Sequence, residues 1–370
     1  MKIAFILGRH KDDAIGGAEI QSSYLMEYFK KEGHEPIYIC YGDKTNLEPE
    51  ETLEGVKLYR IKKPWKGFKQ TQYWDKSSLY KLLDREKPDI LYQRGDFHFS
   101  DLISRYGNKR GIPVVSAISM ERHCQKVKIH YNHLLPLDLL DIYLRGSYFK
   151  KSTQILSQTE HQKRELKKNY GVESIVIPNA HPIPEGPFVK NNNFQIIWVA
   201  NIKPVKRPNL FVELARRMVD TNAHFVMVGR PAKGKLQEEI DSAVDELGSL
   251  EYLGQVDPDE TNRLIAKSLV LVNTSESEGF SNTFIQAWLR KTLVISMNTD
   301  PGDVLKNKSM GYLEPAIDGL EKRLRKLLDN PEKTELIVEK ARKYSREKYD
   351  IEVVGKRYLD LFDKLMKASG

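Results

Sequence analysis

Cysteine is nearly absent: only Cys40 and Cys124 occur in 370 residues, which excludes a disulfide framework and suits a reducing compartment. Long apolar runs are missing too, none approaching the roughly 20 residues that span a bilayer. The opening "MKIAFILGRH" has an apolar stretch too short for a signal peptide, and His10–Asp13 follow at once. These absences predict a cytoplasmic protein. There is no low-complexity segment, no short repeat and no G-x-G-x-x-G dinucleotide fingerprint. Acid is in deficit: 59 Lys and Arg against 51 Asp and Glu leave a net charge of +8. That balance suits an anionic partner such as a nucleotide, a phospholipid surface or nucleic acid. What remains is a soluble globular composition, 40% hydrophobic and 30% charged, with length for two ordinary domains.

Short apolar runs alternate with amphipathic stretches throughout. Strands are predicted at "KIAFIL", "EPIYIC", "DILYQR", "PVVSAI", "TQILSQ" and "SIVIPN", with helical patterns at Ala18–Lys31, Asp75–Glu86 and Glu160–Tyr170. Strands of this length separated by helices imply parallel, doubly wound sheets. Residues 178–193, "PNAHPIPEGPFVKNNN", hold four prolines and three successive asparagines, which fit neither a helix nor a central strand. The alternation restarts at "FQIIWVAN", "HFVMVGR", "LEYLGQV", "LVLVNT" and "LVISM", and a helical region begins near Ile317. The expected organisation is α/β: a first domain over 1–178, a linker over 179–193 and a second domain over 194–350. A last helix over about 351–370 is free to pack back on the first domain. Ligands of such sheets bind beyond the strands' carboxyl ends, so the cleft between two such domains is the default site.

Five stretches carry candidate chemistry, each with a plainer reading beside it. In "GRHKDDAIGGAEIQ", Gly16 and Gly17 let backbone N–H groups approach an anion at a helix start, or merely form a flexible loop. In "WVANIKPVKRPNLFVELA", Lys203, Lys206 and Arg207 crowd a strand-to-helix loop where a cation could hold a diphosphate; the alternative is a solvated charge run. In "NTSESEGFSNTFIQAW", Glu278 sits ahead of a helix predicted over about Ser281–Arg290, with Gln286 two turns along on broadly the same side. Ser275 and Glu278 also fit a capping box. "ERHCQKVKIHYNH" offers Glu121, His123, Cys124, His130 and His133, but the spacing matches no standard zinc pattern. Contact between Glu121 or His123 and a substrate is the favoured reading, because the stretch follows strand "PVVSAI". Residues 62–81 hold six lysines against one acid, interleaved with Trp65, Phe68, Tyr73, Trp74 and Tyr80. That surface suits a lipid interface or nucleic-acid bases, or is an ordinary solvated helix edge.

The order of these parts is more telling than any one. Strand-GG-A-E near the start, "SQTEHQKRELKKNYGVESIVIPNA", "VANIKPVKRPNLFVELA", "VMVGRP", "YLGQV" and "SESEGFSNTFIQAW" together resemble the retaining glycosyltransferases of family 4, which have the GT-B fold of two Rossmann-like domains facing a central cleft. The resemblance covers essentially the whole chain and is strongest from Ser152 to Asp303. It implies that Lys206 holds the donor diphosphate and Glu278 meets the donor sugar. It implies further that Gly279, Phe280, Ser281 and Asn282 cradle phosphate, that Gln286 binds ribose, and that Gln255 and Val256 lie near the base. Gly16 and Gly17 approach from the first domain, and Asn201 and Arg230 complete the donor contacts. Three positions depart from the family pattern: Asn201 replaces a frequent arginine, Ser119 falls near the usual histidine, and Gln286 replaces the second glutamate of E-x7-E.

The expected activity is therefore transfer of a sugar from a nucleoside diphosphate sugar to a glycan or lipid-linked acceptor, with retention, in cell-surface polysaccharide synthesis. No metal or other cofactor is expected, and the location is cytoplasmic, with peripheral contact to an anionic membrane surface. The alternatives are a non-catalytic sugar-nucleotide-binding subunit and, on charge alone, a nucleic-acid-binding protein, for which no recognisable module is present.

Overall fold

In the computed structural model the described residues are 1–10, 16–51, 55–62, 76–95, 100–126, 143, 146–191 and 193–369. They form two compact α/β units, Met1–Pro182 with Ile351–Gly370 and Ile183–Asp350. No described helix is long and apolar enough to cross a membrane.

The first unit is built on an eight-stranded sheet in the order β3-β4-β2-β1-β5-β6-β7-β8. Its strands are β1 (Lys2–Ile6), β2 (Glu35–Gly42), β3 (Asn46–Glu51), β4 (Lys57–Lys62), β5 (Ile90–Arg94), β6 (Val114–Ala117), β7 (Gln154–Ser157) and β8 (Ser174–Val176). All pair in parallel except β3, which lies antiparallel on the edge against β4. The expected all-parallel pattern is corrected there. The segment "NLEPEE" has one apolar residue and a proline, and it is held by charge pairing such as Arg60 to Glu50 at 3.0 Å. An edge position is where a strand proline is tolerated.

Helices α1 (Gly17–Lys31), α2 (Lys76–Glu86), α3 (Ser100–Arg110) and α4 (Glu160–Tyr170) flank this sheet. Helix α4 has a Thr159 cap accepting from the Gln162 N–H at 3.1 Å and ends at Gly171 in the left-handed region, as its sequence dictates. Of the 62–81 surface, residues 63–75 lie outside the described residues. Tyr80 of α2 packs on Tyr106 with ring centroids 4.9 Å apart and donates to the Leu102 carbonyl at 3.1 Å, so that aromatic is part of the fold.

The second unit is a six-stranded parallel sheet, β11-β10-β9-β12-β13-β14. Its strands are β9 (Phe194–Val199), β10 (Ala223–Val228), β11 (Leu250–Tyr252), β12 (Val270–Asn273), β13 (Leu293–Ser296) and β14 (Gly311–Leu313). Helices α5 (Pro208–Arg217), α6 (Lys235–Glu246), α7 (Pro258–Lys267), α8 (Asn282–Leu289), α9 (Val304–Lys308), α10 (Ile317–Asp329) and α11 (Glu335–Tyr349) cover it. Apolar side chains on both sheet faces make two cores, one with Trp198, Phe211 and Phe225, the other with Phe284, Trp288 and Tyr349. The order of strands reverses between β9 and β12, which sets their carboxyl-end loops side by side.

The stretch expected as a linker is anchored at both ends. Asn179 Oδ1 accepts from Arg94 at 2.5 Å and from Gln158 at 2.7 Å, and Gln21 makes two 2.7 Å bonds with the Ala180 backbone. These buried polar side chains satisfy a backbone that prolines keep out of any ladder. Lys190 and Asn191, by contrast, are tied into the second unit.

The last helix, α12 (Ile351–Ser369), belongs to the first unit. Its Val354, Tyr358 and Phe362 are buried against Phe29 and Tyr92, and Phe362 lies 5.8 Å from Phe29 between ring centroids. Burying one such ring stabilises by about 1.5–3 kcal/mol. Gly355 permits the approach, because a Cβ there would stand 2.3 Å from the Tyr28 ring.

Candidate functional site

In the second unit the loops after β9 and β12 are stitched together. Arg207, left-handed at φ 47 and ψ 55, starts α5 and turns its Nε to the Thr274 carbonyl at 2.7 Å. Thr274 donates its hydroxyl to the Lys206 carbonyl at 2.7 Å and accepts from Trp198 Nε1 at 2.9 Å. The Glu276 N–H closes the contact on the Val205 carbonyl at 2.9 Å. These bonds bring Lys206 and Glu278 into direct contact, with Lys206 Nζ donating to Glu278 Oε1. The pair is mostly buried, the side chains 22% and 15% exposed.

Glu278 is held from behind as well. Its Oε1 also accepts from Ser275 Oγ at 2.7 Å and Asn273 Nδ2 at 3.4 Å, while Oε2 takes no bond from a described residue. Asn273 organises the loop: its Oδ1 accepts from the Ser275 N–H at 3.2 Å, an Asx turn, and from Thr299 at 3.1 Å. The capping-box reading of Ser275 and Glu278 is corrected here. Helix α8 starts at Asn282 with Ser281 as its N-cap, so Glu278 lies outside the helix and Ser275 bonds its carboxylate instead of a helical N–H.

Ser281 Oγ pairs with Thr283 Oγ1 at 2.7 Å and makes no capping bond to the helix. Phe280 and Gly279 are buried, and the Phe280 ring packs on Trp288 and Tyr349. That packing fixes where α8 begins. An N–H-rich helix start beside a cation is suited to an anion.

Asn201, Arg230 and the Gly254–Val256 turn are also neighbours. The Ile202 N–H donates to the Arg230 carbonyl at 3.0 Å, the Arg230 N–H to Asn201 Oδ1 at 3.3 Å, and the Gly229 N–H to the Gly254 carbonyl at 2.8 Å. Only glycine fits at 229, where a Cβ would fall 1.7 Å from the Ala200 carbonyl oxygen. Burial pushes the Tyr252 phenol up, with Asp241 adding to it, so it stays a donor and bonds the Gly229 carbonyl at 2.9 Å. Arg230 is half-buried and its guanidinium has no acid partner among the described residues. Gln255 is exposed and Val256 half-buried.

Gln286 is turned toward α7. Its Nε2 donates to Asn262 Oδ1 at 3.0 Å, and the residue is only 7% exposed. The same helices are pinned at their far ends by Lys190, whose Nζ donates to the Ala266 and Arg290 carbonyls at 3.0 and 3.1 Å and to Thr292 Oγ1 at 2.8 Å. Burial, then repulsion from Lys291, pushes that amine down to about 7.

The remaining candidates lie in the first unit. Gly16 is the N-cap of α1 and Gly17 its first residue, after the undescribed 11–15. Glu121 and His123 form a short 3-10 turn after β6, with His123 buried and its Nδ1 3.5 Å from Ser119 Oγ. His130 and His133 lie outside the described residues. Among those described, no cluster of three His, Cys, Asp or Glu could hold a metal. Asn262, Asn273 and Thr274 make contacts in the candidate site that sequence reasoning missed, and Ser275, read there as half of a capping box, instead holds the Glu278 carboxylate. The turn-forming run "NTSES" was the available signal for Asn273 and Thr274; nothing in the sequence marked Asn262.

Residues 15–182 match the family model described as Glycosyltransferase Family 4, and residues 182–344 the one described as Glycosyl transferases group 1. A poly(ribitol-phosphate) alpha-N-acetylglucosaminyltransferase of Staphylococcus aureus (strain COL) is 23% identical over 248 residues, 64% of this chain and 50% of the relative. The chain spans about half the length of the curated relatives it matches. Among solved structures, sucrose-phosphate synthase from Thermosynechococcus elongatus superposes with a TM-score of 0.79 at 13% identity over 100% of both chains. HepE of Anabaena, solved with UDP and glucose, superposes with a TM-score of 0.75 at 14% identity over 98% of this chain and 100% of that one.

Proposed function

Because the chain belongs to the GT-B glycosyltransferases of family 4 type, we propose that it moves a sugar from a nucleoside diphosphate sugar to a glycan or lipid-linked acceptor hydroxyl with retention at the anomeric carbon. The observation that carries this reading is the contact of Lys206 with Glu278 beside the start of α8. As the bond from the anomeric carbon to the diphosphate breaks, negative charge grows on phosphate and positive charge on the sugar. Lys206 and the first-turn N–H groups of α8 stabilise the phosphate. Glu278 orients a sugar hydroxyl with its unused Oε2 and favours the cationic sugar. The acceptor oxygen bonds to the anomeric carbon on the face the phosphate leaves, and its proton passes to the departing phosphate oxygen. No enzyme nucleophile and no metal takes part in this scheme.

Around that centre, Arg230, a cation with no acid partner among the described residues and one hydrogen bond from Asn201, supplies charge for the diphosphate. Gln255 and Val256 meet the base, and Gln286 meets the ribose. Two other proteins support a nucleotide-sugar donor and a polymer acceptor: HepE by its bound UDP and glucose, and the staphylococcal enzyme by a name that gives poly(ribitol-phosphate) as acceptor.

A thermal-shift screen across nucleoside diphosphates and their sugars tests the donor class, followed by transfer assays and anomeric analysis of the product. Stabilisation by one nucleotide family, with turnover and an unchanged anomeric configuration, is the expected result. Donor binding with neither transfer nor donor hydrolysis would instead make the chain a sugar-nucleotide-binding subunit.

A further inference from the structure

Resting on the ribose role given to Gln286, we propose that Asn262 is a positioning residue. It turns the Gln286 amide so that Oε1 is its free face, and so leaves one hydrogen-bond acceptor for the ribose diol. The Gln286 side chain is more than nine-tenths buried, yet only its Nε2 is engaged, on Asn262 Oδ1 at 3.0 Å; Oε1 takes no bond from any described residue. The Gln286 backbone carbonyl is used separately, accepting from Arg290 at 3.2 Å. That oxygen is not among the buried side-chain atoms left without a partner, so it keeps contact with solvent and is the face of the amide that a ligand donor can reach.

The partner is well placed for this work. Asn262 lies mid-helix in α7, whose start is capped by Asp257 accepting from the Glu260 N–H at 2.8 Å. The ends of α7 and α8 are joined through Lys190. Both amides therefore stand on elements fixed at their termini, and the bond between them sets a rotor that packing alone does not. A carboxylate at 286 would present two equivalent acceptors, one for each ribose hydroxyl. An amide whose nitrogen is committed to Asn262 presents one. The consequence is asymmetric recognition: one hydroxyl of the diol is held by Gln286 and the other is not.

The test compares binding of UDP and GDP, each as the ribo, 2′-deoxy and 3′-deoxy form, to the full chain and its variants. In the wild type one deoxy form should lose about tenfold in affinity and the other less than about threefold, the loss being that of one buried hydrogen bond. Asn262→Asp keeps an acceptor for Nε2 and should preserve that asymmetry, even if its added charge lowers all three affinities together. Asn262→Leu releases the amide and should bring both ratios within about threefold. Gln286→Glu should make both deoxy forms weak. Equal losses for the two deoxy forms in the wild type, or an asymmetry that survives Asn262→Leu, would overturn the proposal. If no nucleoside diphosphate of the thermal-shift screen binds at all, the donor reading falls with it; if binding is intact but indifferent to Asn262, only the positioning role is lost.

Discussion

Replacing Glu278 by glutamine removes the anion that Lys206 already holds. A donor diphosphate has to compete with that carboxylate for one ammonium, and has to sit near it as a like charge. The pair is largely withdrawn from water, with side-chain exposures of 22% and 15%, so screening does not erase the effect. Two like charges about 6 Å apart at an effective dielectric of about 40 repel by about 1.4 kcal/mol. Glu278→Gln should therefore bind the free nucleoside diphosphate about tenfold more tightly than wild type. The same change should lower sugar transfer by about 10²-fold or more, because support for the cationic sugar is lost. Isothermal titration with the diphosphate at low salt reads the first effect and initial-rate kinetics the second. The gain in affinity should shrink as salt rises. An unchanged or weaker diphosphate affinity would refute the idea that Glu278 and the phosphates share Lys206.

Other outcomes follow from single contacts. Lys206→Ala should reduce transfer by about 10²–10³-fold with a smaller loss of donor affinity, since phosphate charge grows toward the transition state; unchanged turnover would remove Lys206 from the mechanism. Gly229→Ala forces a methyl onto the Ala200 carbonyl, and urea unfolding should show a loss of about 3 kcal/mol or more, unless the β9 and β10 ends separate. Lys190 has a depressed amine, down to about 7 against 10.5 for a free lysine, so between those values the unfolded chain binds more protons. Its contribution should rise by up to about 1.4 kcal/mol per pH unit from pH 7 to 10 and be lost as pH falls back through 7. Lys190→Met should lack that slope in unfolding titrations.

Much of the fold was legible because the strands are short, apolar and separated by amphipathic helices. "KIAFIL", "DILYQR" and "LVISM" became β1, β5 and β13, and the Glu160–Tyr170 helix has the bounds its cap and Gly171 indicate. Strand β3 was not legible, since "NLEPEE" has neither apolar alternation nor β-branched residues and depends on its partner β4. Strand β14 opens on Gly311, a residue depleted in strands, and lacks the apolar pattern that marked the equally short β8 and β11. In the site, Lys206 and Glu278 were visible as types at strand ends, but their direct contact is a tertiary fact created by Thr274 and Arg207. Gln286 was read as sharing a side of the helix with Glu278; its bond to Asn262 depends on how α7 lies against α8, which no spacing within either segment encodes.

The first unit is written in two separated pieces of chain, and its final piece supplies Val354, Tyr358 and Phe362 to the apolar cluster around Phe29. During synthesis on the ribosome, the uninterrupted second unit emerges complete before these side chains do. The nascent protein can thus finish folding its second unit while Phe29 and Tyr92 still lack their cover. Closing that cluster requires contacts between residues more than 300 positions apart, Lys31 with Glu352 among them at 2.7 Å, so it is the late, slow step of assembly. Any stop of translation before Tyr358 would release a chain with one finished unit and one that still exposes an aromatic face.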